Sequence, residues 1–162
     1  MKRFFLIALL MAGFATSHAQ ILRHSHFYCF FEEMGAGKDG FTSEGISCYV
    51  LKQAEHQTIP IFRYYNGHDH FYTNNAAELA DGKSGYWFEG VQFYAFPFQV
   101  EGTVPLYRAM GQEGHFYTTD INEINRPRSG VHLENIMCYV YPTQVEGTAP
   151  LYRYFFNGNG YR

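Results

Sequence analysis

Apolar and polar positions in this chain follow a pattern that returns every 45 residues. Gln99-Val100-Glu101-Gly102-Thr103-Val104-Pro105-Leu106-Tyr107-Arg108 is repeated almost letter for letter as Gln144-Val145-Glu146-Gly147-Thr148-Ala149-Pro150-Leu151-Tyr152-Arg153. A worn copy reads Thr58-Ile59-Pro60-Ile61-Phe62-Arg63, so the prolines at 60, 105 and 150 are 45 residues apart. A fixed period of this length marks a repeat architecture.

Within one unit, Ile61–Tyr65 is aromatic and rich in strand-forming residues and predicts a strand. Asn66-Gly67-His68-Asp69 predicts a hairpin turn, because Asn-Gly tolerates positive φ. His70-Phe71-Tyr72-Thr73 is the returning strand. Asn74 and Asn75 ahead of Ala76-Ala77-Glu78-Leu79-Ala80 predict a helix of one or two turns. Tyr86–Glu89 and Gln92–Phe96 read as a third and a fourth strand, broken at Gly90. The next unit repeats this order, with Asp120-Ile121-Asn122-Glu123 close to a capping box.

The remaining unit is divided between the chain ends. Residues 150–158 carry the first strand and its turn but no His-Phe-Tyr strand, and His26-Phe27-Tyr28 near the other end supplies it. The expectation is one domain over residues 20–162, with repeats at 150–162 plus 24–59, 60–104 and 105–149. The predicted class is all-β with short helices: a closed pseudo-threefold array of three four-stranded repeats. Two architectures fit, a propeller-like ring closed by the C-terminal strand and a β-trefoil; the split unit favours the ring. Closure of either kind leaves no orphan sheet edge.

Ahead of the first unit, Met1-Lys2-Arg3 precedes the apolar run Phe4–Phe14, and Ser17-His18-Ala19 places small residues at a cleavage site. This is the layout of a secretory signal peptide over residues 1–19, cut after Ala19. The expected location is secreted or periplasmic. Loss of Lys2 and Arg3 leaves ten basic residues against 15 acidic ones. That balance, with no basic run, argues against nucleic acid, and no basic amphipathic segment or long apolar span argues for membrane insertion. Cys29, Cys48 and Cys138 are odd in number for a disulfide framework, and their pairing stays open. Cys48 and Cys138 fall at equivalent positions where the middle unit has Phe93, so at least one reads as a small buried apolar residue.

Three polar sets recur with the repeat: His26/His70/His115, Arg63/Arg108/Arg153 and Glu44/Glu89/Glu134. A catalytic centre needs different groups in different roles, so a residue repeated three times reads as one structural job done three times. Arg and Glu are expected to form partly buried pairs, with each His satisfying a backbone carbonyl. A sharper alternative puts His26, His70 and His115 together on the pseudo-threefold axis as a three-histidine metal site. His68 and His70 around Asp69 form a second candidate metal pair. No nucleophile elbow, zinc-protease motif, phosphate loop or cofactor signature is present.

Positions that break the repeat are better candidates for function. Trp87, the only tryptophan, stands where the other units have Thr42 and His132. Tyr65, Asn66 and Asp69 occupy a turn. An aromatic ring beside an amide and a carboxylate can cover the apolar face of a sugar while the polar groups take its hydroxyls.

Pro-Leu-Tyr-Arg, His-Phe-Tyr-Thr-Thr, and Glu-Gly followed by Tyr-Val-Tyr-Pro resemble a repeat family of uncharacterised function, found as a module in secreted bacterial and fungal proteins and often appended to hydrolases. The resemblance spans about residues 24–158 and is closest at Pro105–Arg108, His115–Thr119 and Cys138–Pro142. The first unit departs at Cys29 and Lys52, the second at Ile61 and Phe62, and the third at Asn135. The resemblance implies a binding or adhesion module and carries no catalytic residue or cofactor. The expected function is a secreted, non-enzymatic module that binds carbohydrate or a cell-surface polymer. A module that binds or inhibits another secreted protein comes second, and a metal-dependent hydrolase on the axis third.

Overall fold

The computed structural model describes residues 25–80, 82–127 and 130–156. The leader expected over residues 1–19 lies outside them. Among these residues nine strands and two short α-helices, with a 3-10 turn at Lys83–Gly85, follow in the order β1 (Ser25–Cys29), α1 (Phe31–Met34), β2 (Phe41–Leu51), β3 (Ile59–Tyr65), β4 (His70–Thr73), β5 (Trp87–Ala95), β6 (Val104–Gly111), β7 (Gly114–Thr118), α2 (Ile121–Ile124), β8 (His132–Val140) and β9 (Thr148–Phe156).

These strands form three equivalent antiparallel sets, β1-β9-β2, β4-β3-β5 and β7-β6-β8. The Pro-Leu-Tyr-Arg strand is central in each. The split unit is completed as the pattern predicts: Tyr28 lies opposite Arg153 and Cys29 opposite Tyr152, while the other side of β9 pairs with β2 from Phe41 to Leu51.

Each unit holds three strands among the described residues rather than four. The expected third and fourth strands are one continuous strand, and the break between them is a β-bulge. Register shifts leave Glu44, Glu89 and Glu134 as the extra residue opposite Arg153/Tyr154, Arg63/Tyr64 and Arg108/Ala109. A bulge bends a strand and re-aims a side chain without ending the ladder. The twelve strands of a trefoil are therefore not reached, and the arrangement is the propeller-like ring.

The ring closes where the ends of β2, β5 and β8 meet. Leu51 pairs with Tyr94, Tyr49 with Tyr141, and Phe96 with Tyr139. The middle of this triangle is filled by Val50, Ala95 and Val140, all buried. Further layers repeat the scheme with Ile61, Leu106 and Leu151, then Cys48, Phe93 and Cys138. Each fully buried aliphatic side chain of this kind contributes about 1.5–3 kcal/mol.

The segment Asn74–Ala80 holds a bend and a run of turns over Ala76–Ala80, not the expected helix, with a bond of helical spacing from Ala80 N–H to the Ala76 carbonyl, 3.0 Å. In α2, Asp120 caps Asn122 N–H at 2.9 Å, but Glu123 does not complete the box. Its carboxylate turns to Thr118 and Arg153 instead. The joints between units are locked by Thr58, Thr103 and Thr148. Each hydroxyl donates to the carbonyl three residues back and accepts from that residue's N–H, all within 2.7–3.1 Å.

Candidate functional site

The three units meet at three junctions, and the recurring polar residues build them. At the junction of the second and third units, Arg108 Nε donates to Glu134 Oε2 in its own unit at 2.9 Å. Its two terminal nitrogens reach Glu78 of the preceding unit at 2.8 and 3.1 Å. The guanidinium lies 4.7 Å from the centre of the Phe71 ring, also in the preceding unit. The same clamp recurs with Arg153 on Glu44 (2.8 Å), Glu123 (3.0 Å) and Phe116 (5.3 Å). It recurs again with Arg63 on Glu89 (2.8 Å), Glu33 (3.0 Å) and Phe27 (5.0 Å).

Planar guanidinium groups suit this double duty, because they can fork to carboxylates and stack on rings together. Hydrogen bonds from Arg108 hold Glu78 below the ordinary carboxyl range. Burial works against the charge of Glu123, but Arg153 and Thr118 hold it low as well. Glu44 is lowered by His26 first, against its burial, with Arg153 adding to the effect. Glu33, Glu78 and Glu123 are also spaced 45 residues apart, and the fold shows each gripping the next unit's arginine.

The histidines meet carboxylates, not backbone carbonyls. Nε2 lies 3.5 Å from Glu44 in His26, 3.7 Å from Glu89 in His70 and 3.7 Å from Glu134 in His115. Each imidazole packs on the preceding unit's phenylalanine: His70 on Phe27 at 4.2 Å, His115 on Phe71 at 4.6 Å and His26 on Phe116 at 5.0 Å. One histidine thus belongs to each junction, and they do not converge on the axis. Among the described residues no group of three or more His, Cys, Asp or Glu is placed to hold a metal ion, including around His68 and His70.

Tyr28, Tyr72 and Tyr117 join the three units instead. The Tyr28 hydroxyl donates to the Tyr117 carbonyl (2.7 Å) and accepts from Tyr117 N–H (2.9 Å). Tyr72 serves Tyr28 in the same way, and Tyr117 serves Tyr72. The three rings pack edge-on at 5.2–5.8 Å. Burial raises all three phenols well above their usual range. They are donors in a closed hydrogen-bond cycle, poor candidates for proton transfer.

The four residues singled out around the second unit's hairpin separate into two groups. Trp87 is 51% exposed and pairs across the strands with Tyr65, its ring perpendicular at 5.2 Å. Tyr65 stacks on His70 at 4.2 Å, which fixes the platform to the body of the protein. Asn66 spends its side-chain oxygen on the N–H groups of His68 and Asp69, shaping the turn. Asp69 is 3% exposed and faces away, into the second junction. There it accepts from His115 N–H at 3.0 Å, from Tyr86 O–H at 2.8 Å, and lies 2.6 Å from His115 Nδ1. A carboxylate so committed cannot take sugar hydroxyls beside Trp87.

A cavity of about 390 Å³ opens at the junction of the third and first units, lined by Ser25, His26, Gly114, Phe116, Arg126 and Val131 among others. Nothing in the chain's composition pointed to it; the signal was the loss of Asp69's counterpart at Gly114. The three cysteines are free and buried. Burial pushes the Cys29 and Cys48 thiols up to about 12 and Cys138 well above its usual value, so none is poised as a nucleophile.

A family model described as a domain of unknown function (DUF5648) matches the chain twice, over residues 20–96 and 79–161. No curated protein and no solved structure matches it.

Proposed function

The chain belongs to the DUF5648 family of domains of unknown function, and on that premise we propose that it is a secreted, non-enzymatic module that binds carbohydrate or a cell-surface polymer through the platform made by Trp87 and Tyr65. One observation carries this reading. Trp87 leaves half its surface open while Tyr65, anchored on His70, holds it from behind. An indole presented on a rigid base can stack on a pyranose with little ordering cost. Asp69 drops out of the proposed contact set, and Asn66 serves as the turn that aims the platform.

Affinity electrophoresis against a panel of soluble polysaccharides tests the reading. Retardation that disappears in W87A, with the thermal melt unchanged, supports it. Absence of retardation across the panel, or retardation that W87A leaves intact, overturns it.

A second reading, recognition of another protein, has its own support. Ile46, Val91 and Ile136 occupy equivalent positions on the outer strands and are each more than 40% exposed, with Phe88 and Leu133 beside them. Exposed apolar side chains along strand edges are common at protein-binding surfaces. Capture of a protein by the wild type and not by V91E is the result that would favour it.

A further inference from the structure

The three junctions are built to one plan, and they differ at one seat. In the second junction the seat is filled by the Asp69 carboxylate, which lies against His115 Nδ1, His115 N–H and the Tyr86 hydroxyl. Asp69 is the residue just before the His-Phe-Tyr strand of its unit. Its counterpart in the third unit is Gly114, where even a Cβ would run into Asp69, 2.5 Å from Oδ1, so this position offers the first unit no carboxylate. The counterpart of Tyr86, at the 45-residue spacing, is the shorter Val131. Neither position thus gives the third junction the carboxylate or the phenol found at the second, and the cavity lined by Gly114, His26 and Val131 lies there.

The imidazole that faces the cavity is oriented like the one at the filled seat. His115 turns Nε2 toward Glu134 and Nδ1 toward Asp69. His26 turns Nε2 toward Glu44, the counterpart of Glu134, so its Nδ1 edge faces the direction that Asp69 occupies in the second junction. In the first junction the same ring edge, His70 Nδ1, is buried with no partner among the described residues.

Glu44 and Glu123 also line the cavity, but both are held by Arg153. Glu134 and Glu78 are held by Arg108 in the same way where Asp69 sits, so this surround accepts a carboxylate. Glu113 lines one side, within 3.9 Å of His68, and Arg126 adds an exposed cation at the rim where the second unit's sequence has Asp81.

We propose that the cavity between the third and first units is a binding site for a carboxylate group, which takes the seat that Asp69 fills internally one junction away, with His26 as its main donor. The space beyond the seat admits a molecule of monosaccharide size. This site is distinct from the Trp87 platform and does not rest on it.

NMR titration of the isotope-labelled mature chain tests the proposal, using sodium acetate and sodium galacturonate against acetamide and galactose. The expected result is that the acids shift the amides of Ser25, His26 and Gly114 while the neutral counterparts do not. Galacturonate binding more tightly than acetate would assign the carboxylate to an acid sugar; equal binding would assign it to small free carboxylates. His26→Phe keeps the ring packing and removes the donor, and should weaken binding about ten-fold or more, as loss of a charge-assisted hydrogen bond does. Val131→Phe fills the space and should abolish binding, which serves as the second variant if the first does not fold. W87A should leave acid binding unchanged. No shift with either acid, equal shifts with the neutral compounds, or binding that survives Val131→Phe would overturn the proposal.

Discussion

The Tyr72 hydroxyl sits between the two main-chain polar groups of Tyr28, 2.6 Å from the carbonyl oxygen and 3.0 Å from the amide nitrogen. One phenol thereby satisfies two buried groups on a neighbouring unit. Tyr72→Phe would leave both without a partner at almost no change in shape. Burying unpaired backbone groups costs free energy directly, so the variant should lose about 2–4 kcal/mol in urea denaturation. Tyr28→Phe and Tyr117→Phe should lose similar amounts, since the cycle treats the three alike. Equal stability of Tyr72→Phe and wild type would mean that the cycle contributes little.

Arg108 is held more closely than its two counterparts, with three hydrogen bonds to two carboxylates. Arg108→Met should destabilise by about 1–3 kcal/mol, below the cost of breaking a fully buried pair because both glutamates keep about one-third of their surface in solvent. Adding Glu78→Gln and Glu134→Gln to Arg108→Met should recover part of that loss. A triple variant less stable than the single one would show that the carboxylates have other roles.

Acid should weaken the fold in two windows. Burial, with Arg63 nearby, lowers His70 from 6.5 to about 3, so the unfolded chain takes up this proton first. Its contribution is complete above pH 6.5 and is lost as pH falls toward 3, at up to about 1.4 kcal/mol per pH unit. The depressed carboxyls of Glu44, Glu78, Glu123 and Asp69 add a second loss below about pH 4.5. Urea titrations at a series of pH values should show both. His70→Phe should flatten the slope between pH 6.5 and 4.5 and leave the lower window in place; an unaltered slope would contradict this assignment.

Gln57 has a φ of 66°, in the left-handed region where the equivalent Gly102 and Gly147 have 79° and 80°. A side chain there costs roughly 1 kcal/mol. Gln57→Gly should therefore raise stability by about 0.5–1 kcal/mol, with the gain trimmed by the extra freedom of glycine in the unfolded chain. A loss of stability would mean that Gln57 makes a compensating contact.

Ending the chain at Ala149 removes most of β9, the strand between β1 and β2. The truncated protein should lack a cooperative melt rather than lose a fraction of its stability. A folded, dispersed NMR spectrum from that variant would refute the closure.

The architecture was legible because it is written three times. The prolines at 60, 105 and 150 set the register, and the absent His-Phe-Tyr strand after Arg153 announced that His26-Phe27-Tyr28 would supply it. The bulges were harder to read. Gly45 and Gly90 resemble strand breaks in one dimension, and only the pairing of both flanks with one partner shows a strand continuing through an extra glutamate. The helix expected over Asn74–Ala80 is not formed: Ala80 has a φ of 45°, outside the right-handed helical region. Asp69 misled for a different reason: its neighbours in sequence are in a solvent-facing hairpin, while its side chain answers to a histidine 46 residues away. The cavity left only a faint mark in the sequence: Gly114 and Val131 stand where the second unit has the carboxylate of Asp69 and the phenol of Tyr86.

Because β1 and β2 flank β9 and do not pair with each other, β1 has no strand partner, and β2 only the one near Tyr49 and Leu51, until β9 has been made. Synthesis runs in one direction, so β1 and most of β2 await their main partner while the two units behind them are assembled. A chain arranged in this way stays pliable until its final residues emerge, and then gains its shape in one late step. That delay makes the time between synthesis and closure the interval in which aggregation is most dangerous.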